Sequence, residues 1–243
     1  MPEPARRMTN RTEPRAESKD RSAALYRLLA WLSPGFPTGA FSYSHGLEAA
    51  AEAGVVYDRT TLQGWIAAII EHGSGRIDTD ILRDAYRAAE AGDPAALTAA
   101  NRRGIAFRAT SELALESAQQ GEAFLGTCLA AWPDPFLEAW NPGEGVCLPA
   151  AFAAAAACAA IALDDALLGY LHAFASNLMS AGLRLGLIGQ TDGQRILAGL
   201  EPLIASAAAA AKRRDPADFG SATFAVDLAS MAHETQYSRL FRS

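Results

Sequence analysis

Apolar residues recur at helical spacing along most of the chain. Leu25, Leu28, Leu29 and Leu32 stand at i, i+3, i+4 and i+7, one face of an amphipathic helix. That helix should stop at Ser33-Pro34, because a residue before proline avoids the α region. The stretch Ser33 to Ala40 holds two Pro and two Gly and reads as a loop. A helix should resume near Ser44, with Glu48 favoured in its first turn by the macrodipole and Gly54 ending it. Thr60-Thr61-Leu62-Gln63 has the spacing of a capping box and predicts a helix to about Gly73. Further helices are predicted over 78–91, from Asp93-Pro94, over 106–131, briefly over 136–140 and around 148–161. Asp164-Asp165 should open one that carries Leu167, Leu168, Leu171, Leu178 and Met179 toward Gly186. Thr191-Asp192-Gly193-Gln194 looks like a second capping box, leading a helix to about Lys212. The last segment, 221–243, places Phe224, Leu228 and Met231 on one helical face. The prediction is an all-α fold: a single domain of about nine to ten packed helices with short loops, over residues 23–243. Residues 1–22 hold six Arg or Lys, four Asp or Glu and almost no bulky apolar side chain, so they read as a disordered tail.

Composition strengthens the helical reading. Alanine occurs 54 times and valine 4 times in 243 residues. Alanine is the best helix former, whereas strands favour β-branched and aromatic residues, which excludes an all-β fold. The formal net charge of −6 argues against nucleic acid or an anionic membrane as the main partner. Three widely spaced cysteines, Cys128, Cys147 and Cys158, show no metal-ligand spacing and fit a reduced, cytoplasmic compartment. No apolar signal-peptide core is present near the start. The uncharged run from Val146 to Leu163 is mostly alanine and reads as a buried, tightly packed helix rather than a membrane span.

Motifs for autonomous chemistry are missing. There is no P-loop, no dinucleotide fingerprint and no nucleophile elbow. His233-Glu234-Thr235-Gln236-Tyr237 begins like a zinc-protease helix, but Tyr237 stands where the second His belongs. Each of the four histidines, His45, His72, His172 and His233, is expected to bond to backbone where buried rather than to ligate a metal. A rival enzyme reading would draw its acid–base groups from Glu48, His233 and Glu234, with no spacing to support a reaction. A helical regulator of DNA or small molecules is weaker, for want of a basic helix. Three stretches remain unusual. Ser33 to Glu48 combines Pro, Gly, aromatics and the hydroxyls of Ser42, Tyr43 and Ser44; it is either a structured connection or a loop that presents side chains to a partner. Asn177, Ser180, Ala181 and Arg184 form a small or polar stripe, suited to a helix seam, a subunit interface or a solvated face. The segment Ser230 to Ser243 keeps Tyr237, Leu240 and Phe241 beside Arg239 and Arg242; it either folds back or docks on another chain, with docking favoured.

The same three stretches carry a resemblance. Leu32-Ser33-Pro34-Gly35-Phe36-Pro37-Thr38-Gly39-Ala40-Phe41-Ser42-Tyr43-Ser44-His45-Gly46-Leu47-Glu48 is similar to the N-terminal signature of the urease accessory protein family UreF. Gly189 to Gln194 matches its second signature, and His233 to Ser243 its C-terminal one, in the right order and spacing. His45 stands where many members have Gln or another polar residue, so the resemblance gives its imidazole no role. The resemblance implies an all-α homodimer without catalytic activity. It would bind UreD (also called UreH), recruit and regulate the nickel-carrying GTPase UreG, and assist nickel insertion into apo-urease. On this reading the 33–48 loop, with Gly39, Phe41, Ser42, Tyr43, Ser44, His45 and Glu48, serves the UreG side. Asn177, Arg184, Gln190 and Gln194 belong to a dimer seam or partner face. His233, Glu234, Gln236, Tyr237, Ser238, Arg239, Leu240 and Phe241 dock UreD. Arg184 and Arg239 are expected in structural roles, a seam and a salt bridge, rather than in the GTPase site. No cofactor site of its own is expected; nickel and GTP are carried by the partners.

Overall fold

Helix α4 (Ser74–Glu90) is the axis of the molecule, buried along most of its length from Gly75 to Ala89. The computed structural model describes residues 14–143 and 145–243. Around α4 stand α3 (Arg59–His72), α5 (Pro94–Ala106), α8 (Leu148–Cys158), α9 (Leu163–Arg184) and α10 (Gln190–Ala211). Helix α6 (Ser111–Ala131) lies against the far side of α8. The outer elements are α1 (Pro14–Trp31), the six-residue α2 (Leu47–Glu52), the five-residue α7 (Pro135–Ala139) and α11 (Phe224–His233). Eleven α-helices are thus present among the described residues, two of them one- or two-turn pieces, and the all-α expectation holds.

Alanine explains how the centre is packed. Every residue of α8 from Pro149 to Ala156 is buried, and its side chains are almost all single methyl groups. Helices with such surfaces can approach closely, which suits α8 to a place between α4 and α6. The approach is closest at Gly121 of α6, where an added Cβ would stand 2.1 Å from the Val146 carbonyl oxygen. Larger side chains fill the ends. Trp31 meets Phe124 and Trp132 edge-on at 5.8 and 5.9 Å, and Phe36 joins the same group. Arg83 of α4 pairs with Asp80 and donates to the carbonyls of Ala211 and Arg214, satisfying the C-terminal end of α10.

Several boundaries differ from the sequence prediction. The capping box of α3 is built by Asp58 and Thr61, two residues earlier than Thr60-Gln63: Asp58 accepts the Thr61 N–H at 2.8 Å, and the Thr61 hydroxyl receives the Asp58 N–H at 3.0 Å. A carboxylate is the better acceptor and comes first along the chain. The second proposed box does not form. Gly189 is the N-cap of α10, so Thr191 falls inside the first turn and caps nothing. The pattern over 106–131 is split, because Thr110 takes an extended conformation and caps α6 through its hydroxyl. Residues 1–13 of the expected tail lie outside the described residues, and Pro14 to Ser22 form the start of α1. No helix among the described residues is long and apolar enough to cross a membrane.

Candidate functional site

Two of the three unusual stretches meet directly. The chain enters α2 through two successive left-handed residues, His45 (φ 58°) and Gly46 (φ 77°). At Gly46 a side chain would be strained and would also meet the Ser230 backbone nitrogen at 2.9 Å, so the start of α2 sits directly on α11. This contact delivers Glu48 to the C-terminal segment. One Glu48 oxygen accepts the Leu240 N–H at 2.7 Å, and the other accepts the Phe241 N–H at 2.8 Å. The helix dipole predicts an acid at position 48, but the structure gives that acid a longer reach: it caps backbone 192 and 193 residues away.

His233, fully buried at the end of α11, links the same group to α6. Its Nε2 lies 3.2 Å from Glu48 Oε2 and its Nδ1 lies 2.7 Å from Glu112 Oε2. A carboxylate oxygen thus faces each ring nitrogen. The other Glu112 oxygen receives Arg239 at 2.8 Å. Buried histidines were expected to bond to backbone; here the carboxylates of α2 and α6 are the partners. Glu234 turns away and receives the Ser111 N–H and hydroxyl at the start of α6. Of the rival acid–base trio, Glu48 and His233 therefore touch, and Glu234 does not join them.

A parallel arrangement surrounds His45. Its Nε2 lies 2.8 Å from the Ser74 hydroxyl and its Nδ1 3.4 Å from Glu116 Oε2. The Ser243 hydroxyl donates to the same Glu116 oxygen at 2.8 Å, and the Ser44 N–H donates to the Ser243 carbonyl at 2.8 Å. Burial raises the energy of a Glu116 charge, but His45 and the bonds from His45 and Ser243 outweigh it, and its pKa lies below the ordinary value. The Arg242 N–H closes the contact on the Ser42 carbonyl. Tyr43 is buried and hydrogen-bonded to Gln119, and burial pushes its phenol upward.

Helix α9 supplies the third side. The Arg184 guanidinium lies 3.7 Å over the Phe41 ring and 4.3 Å over the Phe241 ring, and it donates to the Phe41 carbonyl. Asn177 reaches the Tyr43 carbonyl at 3.5 Å. Arg184 thus stands in an aromatic sandwich within the chain, and Arg239 in an ion pair. Gln190 and Gln194 are exposed on the first turns of α10 and make no contact with this hub. Gln236 bonds locally to the Ser238 carbonyl.

The C-terminal segment therefore packs on its own domain, with Arg239 paired to Glu112 and the Arg242 guanidinium 5.7 Å over the Tyr43 ring. Phe241 is buried, while Tyr237 and Leu240 point outward. On α11, Phe224, Leu228 and Met231 also face outward, 76%, 65% and 48% exposed, a continuous row at helical spacing. Gly39 shapes the 33–48 loop with a left-handed backbone (φ 77°), and Ser42 contributes its carbonyl. The residues that sequence reading missed lie on α6, apart from Ser74 at the start of α4. Glu112, Glu116 and Gln120 recur every four positions, and that polar stripe shares the inward face with Leu113 and Phe124.

Comparison with known proteins identifies the family of the chain. A model of the UreF family matches residues 56–201. A protein named urease accessory protein UreF from Rhodopseudomonas palustris strain BisA53 is 46% identical over 240 residues, 97% of this chain and 100% of that protein. The chain belongs to the UreF family. Members of that name from Methylobacterium sp. strain 4-46 and Granulibacter bethesdensis are 48% and 47% identical, over 89% and 91% of the chain and 87% and 94% of their own lengths. The UreF model match ends before the C-terminal segment and begins after the 33–48 loop, so the two stretches joined by Glu48 and His233 lie outside the matched span.

Proposed function

We propose that this UreF-family chain is a non-catalytic adaptor in urease maturation, acting in the cytoplasm as a homodimer. It binds UreD (UreH), recruits and regulates the nickel-carrying GTPase UreG, and assists nickel insertion into apo-urease. Nickel and GTP are supplied by the partners. The observation that carries this reading is the outward apolar row Phe224, Leu228 and Met231, followed by Tyr237 and Leu240, on a segment locked rigidly from behind. A surface of this kind is costly to leave in water and is preorganised for a partner. UreD is assigned to it, and UreG to the neighbouring 33–48 loop around Phe41, 68% exposed.

Removing the tail would be a poor test, because Leu240 and Phe241 satisfy the buried Glu48 carboxylate and truncation would loosen the domain itself. A paired surface change, Phe224→Glu with Leu228→Glu, is cleaner. It should abolish capture of UreD in a pull-down while leaving the circular-dichroism melt unchanged. Undiminished capture by the folded double variant overturns the assignment of this face.

A further inference from the structure

A cavity of about 500 Å³ lies beneath the loop Leu32–Phe41, bordered by α6 and α9. Close-packed interiors seldom leave voids larger than a water molecule, and small-molecule sites typically occupy roughly 300–1,000 Å³. Trp31, Phe36, Phe152 and Phe174 give it aromatic walls. Six titratable side chains also border it: those of Asp78, Arg108, Glu116, His45 and Tyr170 are buried and already matched, whereas His172 is exposed and has the Ser176 hydroxyl 3.4 Å from its Nε2. Asp78 pairs with Arg108 at 2.8 Å and accepts the Tyr170 hydroxyl at 2.7 Å. Glu116 is held by His45, Ser243 and Gln120. A charged ligand would find no free countercharge among the buried groups.

Ser117 and Trp31 are different. Both border the cavity, both are more than nine-tenths buried, and neither the Ser117 hydroxyl nor the Trp31 indole N–H has a hydrogen-bond partner among the described residues. Buried polar groups are ordinarily bonded to protein, water or a ligand, so both are open to an occupant of the cavity. We propose that the cavity is a binding site for a small, neutral, planar apolar molecule bearing a hydrogen-bond-accepting oxygen, with Ser117 as its polar anchor. The aromatic walls suit a flat apolar body, and the buried charges, neutralised among themselves, offer an ion no partner. The exposed loop Ser33–Phe41 forms the rim, so occupancy of the cavity would bear on the loop that carries Phe41.

The probe is Prodan, a neutral naphthalene ketone whose emission shifts to the blue in apolar surroundings. Titrated into the purified full chain, it should bind saturably at one site per chain. Ala173 borders the cavity, is half-buried on α9, and can be enlarged from outside the core; Ala173→Trp should abolish the signal. Ser117→Ala should weaken binding about five-fold, the scale of one hydrogen bond. Leu228→Glu, on the outward row of α11, should change nothing. Absence of saturable binding overturns the proposal, as does binding that survives Ala173→Trp but is lost in Leu228→Glu. Should Ala173→Trp fail to fold, Ser117→Ala decides: unchanged affinity removes the anchor and the site with it.

Discussion

At the scale of single residues, the hub depends on carboxylates that are buried and fully bonded. Glu48 accepts two backbone N–H groups and faces His233, so Glu48→Ala leaves three partners unsatisfied, two of them buried. Loss of one member of such a group costs about 3 kcal/mol. The expected result is a urea midpoint lowered accordingly, with the C-terminal segment becoming protease-sensitive; a loss below about 0.5 kcal/mol, the scale of an ordinary surface change, would contradict it. Glu116 makes a prediction in pH. Its folded pKa lies below the ordinary carboxylate value of 4.5, so its contribution is present above pH 4.5 and is lost as pH falls through the folded value. Glu116→Gln should therefore destabilise the protein at neutral pH and flatten the fall in stability on acidification below 4.5. Equal slopes for the two proteins would remove Glu116 from the acid response. The thiols behave oppositely. Burial pushes Cys128 and Cys147 up to about 11 and Cys158 to about 12, so thiolate is scarce at neutral pH. Iodoacetamide at pH 7.5 should label the folded chain far more slowly than the urea-unfolded one, counted by mass spectrometry.

At the scale of elements, the contact of α6 with the chain entering α8 offers the sharpest test. Gly121→Ala would place a methyl 2.1 Å from the Val146 carbonyl, a backbone atom that cannot swing aside. Overpacking of this kind costs about 1–3 kcal/mol. A melting temperature unchanged by Gly121→Ala would mean that the contact is looser than the geometry shows. Most helices were legible from apolar spacing, because a helix that buries one stripe repeats it every three to four residues. The caps were less legible. A T-x-x-Q pattern occurs twice, yet Asp58 displaces the first and Gly189 begins the helix before the second can act. Local hydrogen-bond options compete, and the acceptor placed at the true first turn wins. The α6 carboxylates show the opposite limit: Glu112 and Glu116 look like ordinary surface acids until α11 and the C-terminal segment are laid over them.

At the scale of the whole molecule, the hub joins α2, α6, α9 and α11 into one support, with the apolar row facing out. If that row is the UreD face, the chain expressed alone should expose it, and the Phe224→Glu, Leu228→Glu protein should show less aggregation at high concentration than the parent. Light scattering measures this directly; equal scattering would mean that the row is covered by other means. What the sequence by itself determined is the helical class, the burial of the alanine-rich run and the three stretches where alanine gives way to varied chemistry. Those follow from propensity and periodicity, which act over one to four turns. Only the tertiary structure decided what those stretches do to one another. Glu48 and Leu240 are separated by most of the chain, and no local rule relates them. They meet because closely packed alanine helices bring α2 and α11 against α6, and because a buried carboxylate must find its hydrogen-bond donors wherever the fold provides them.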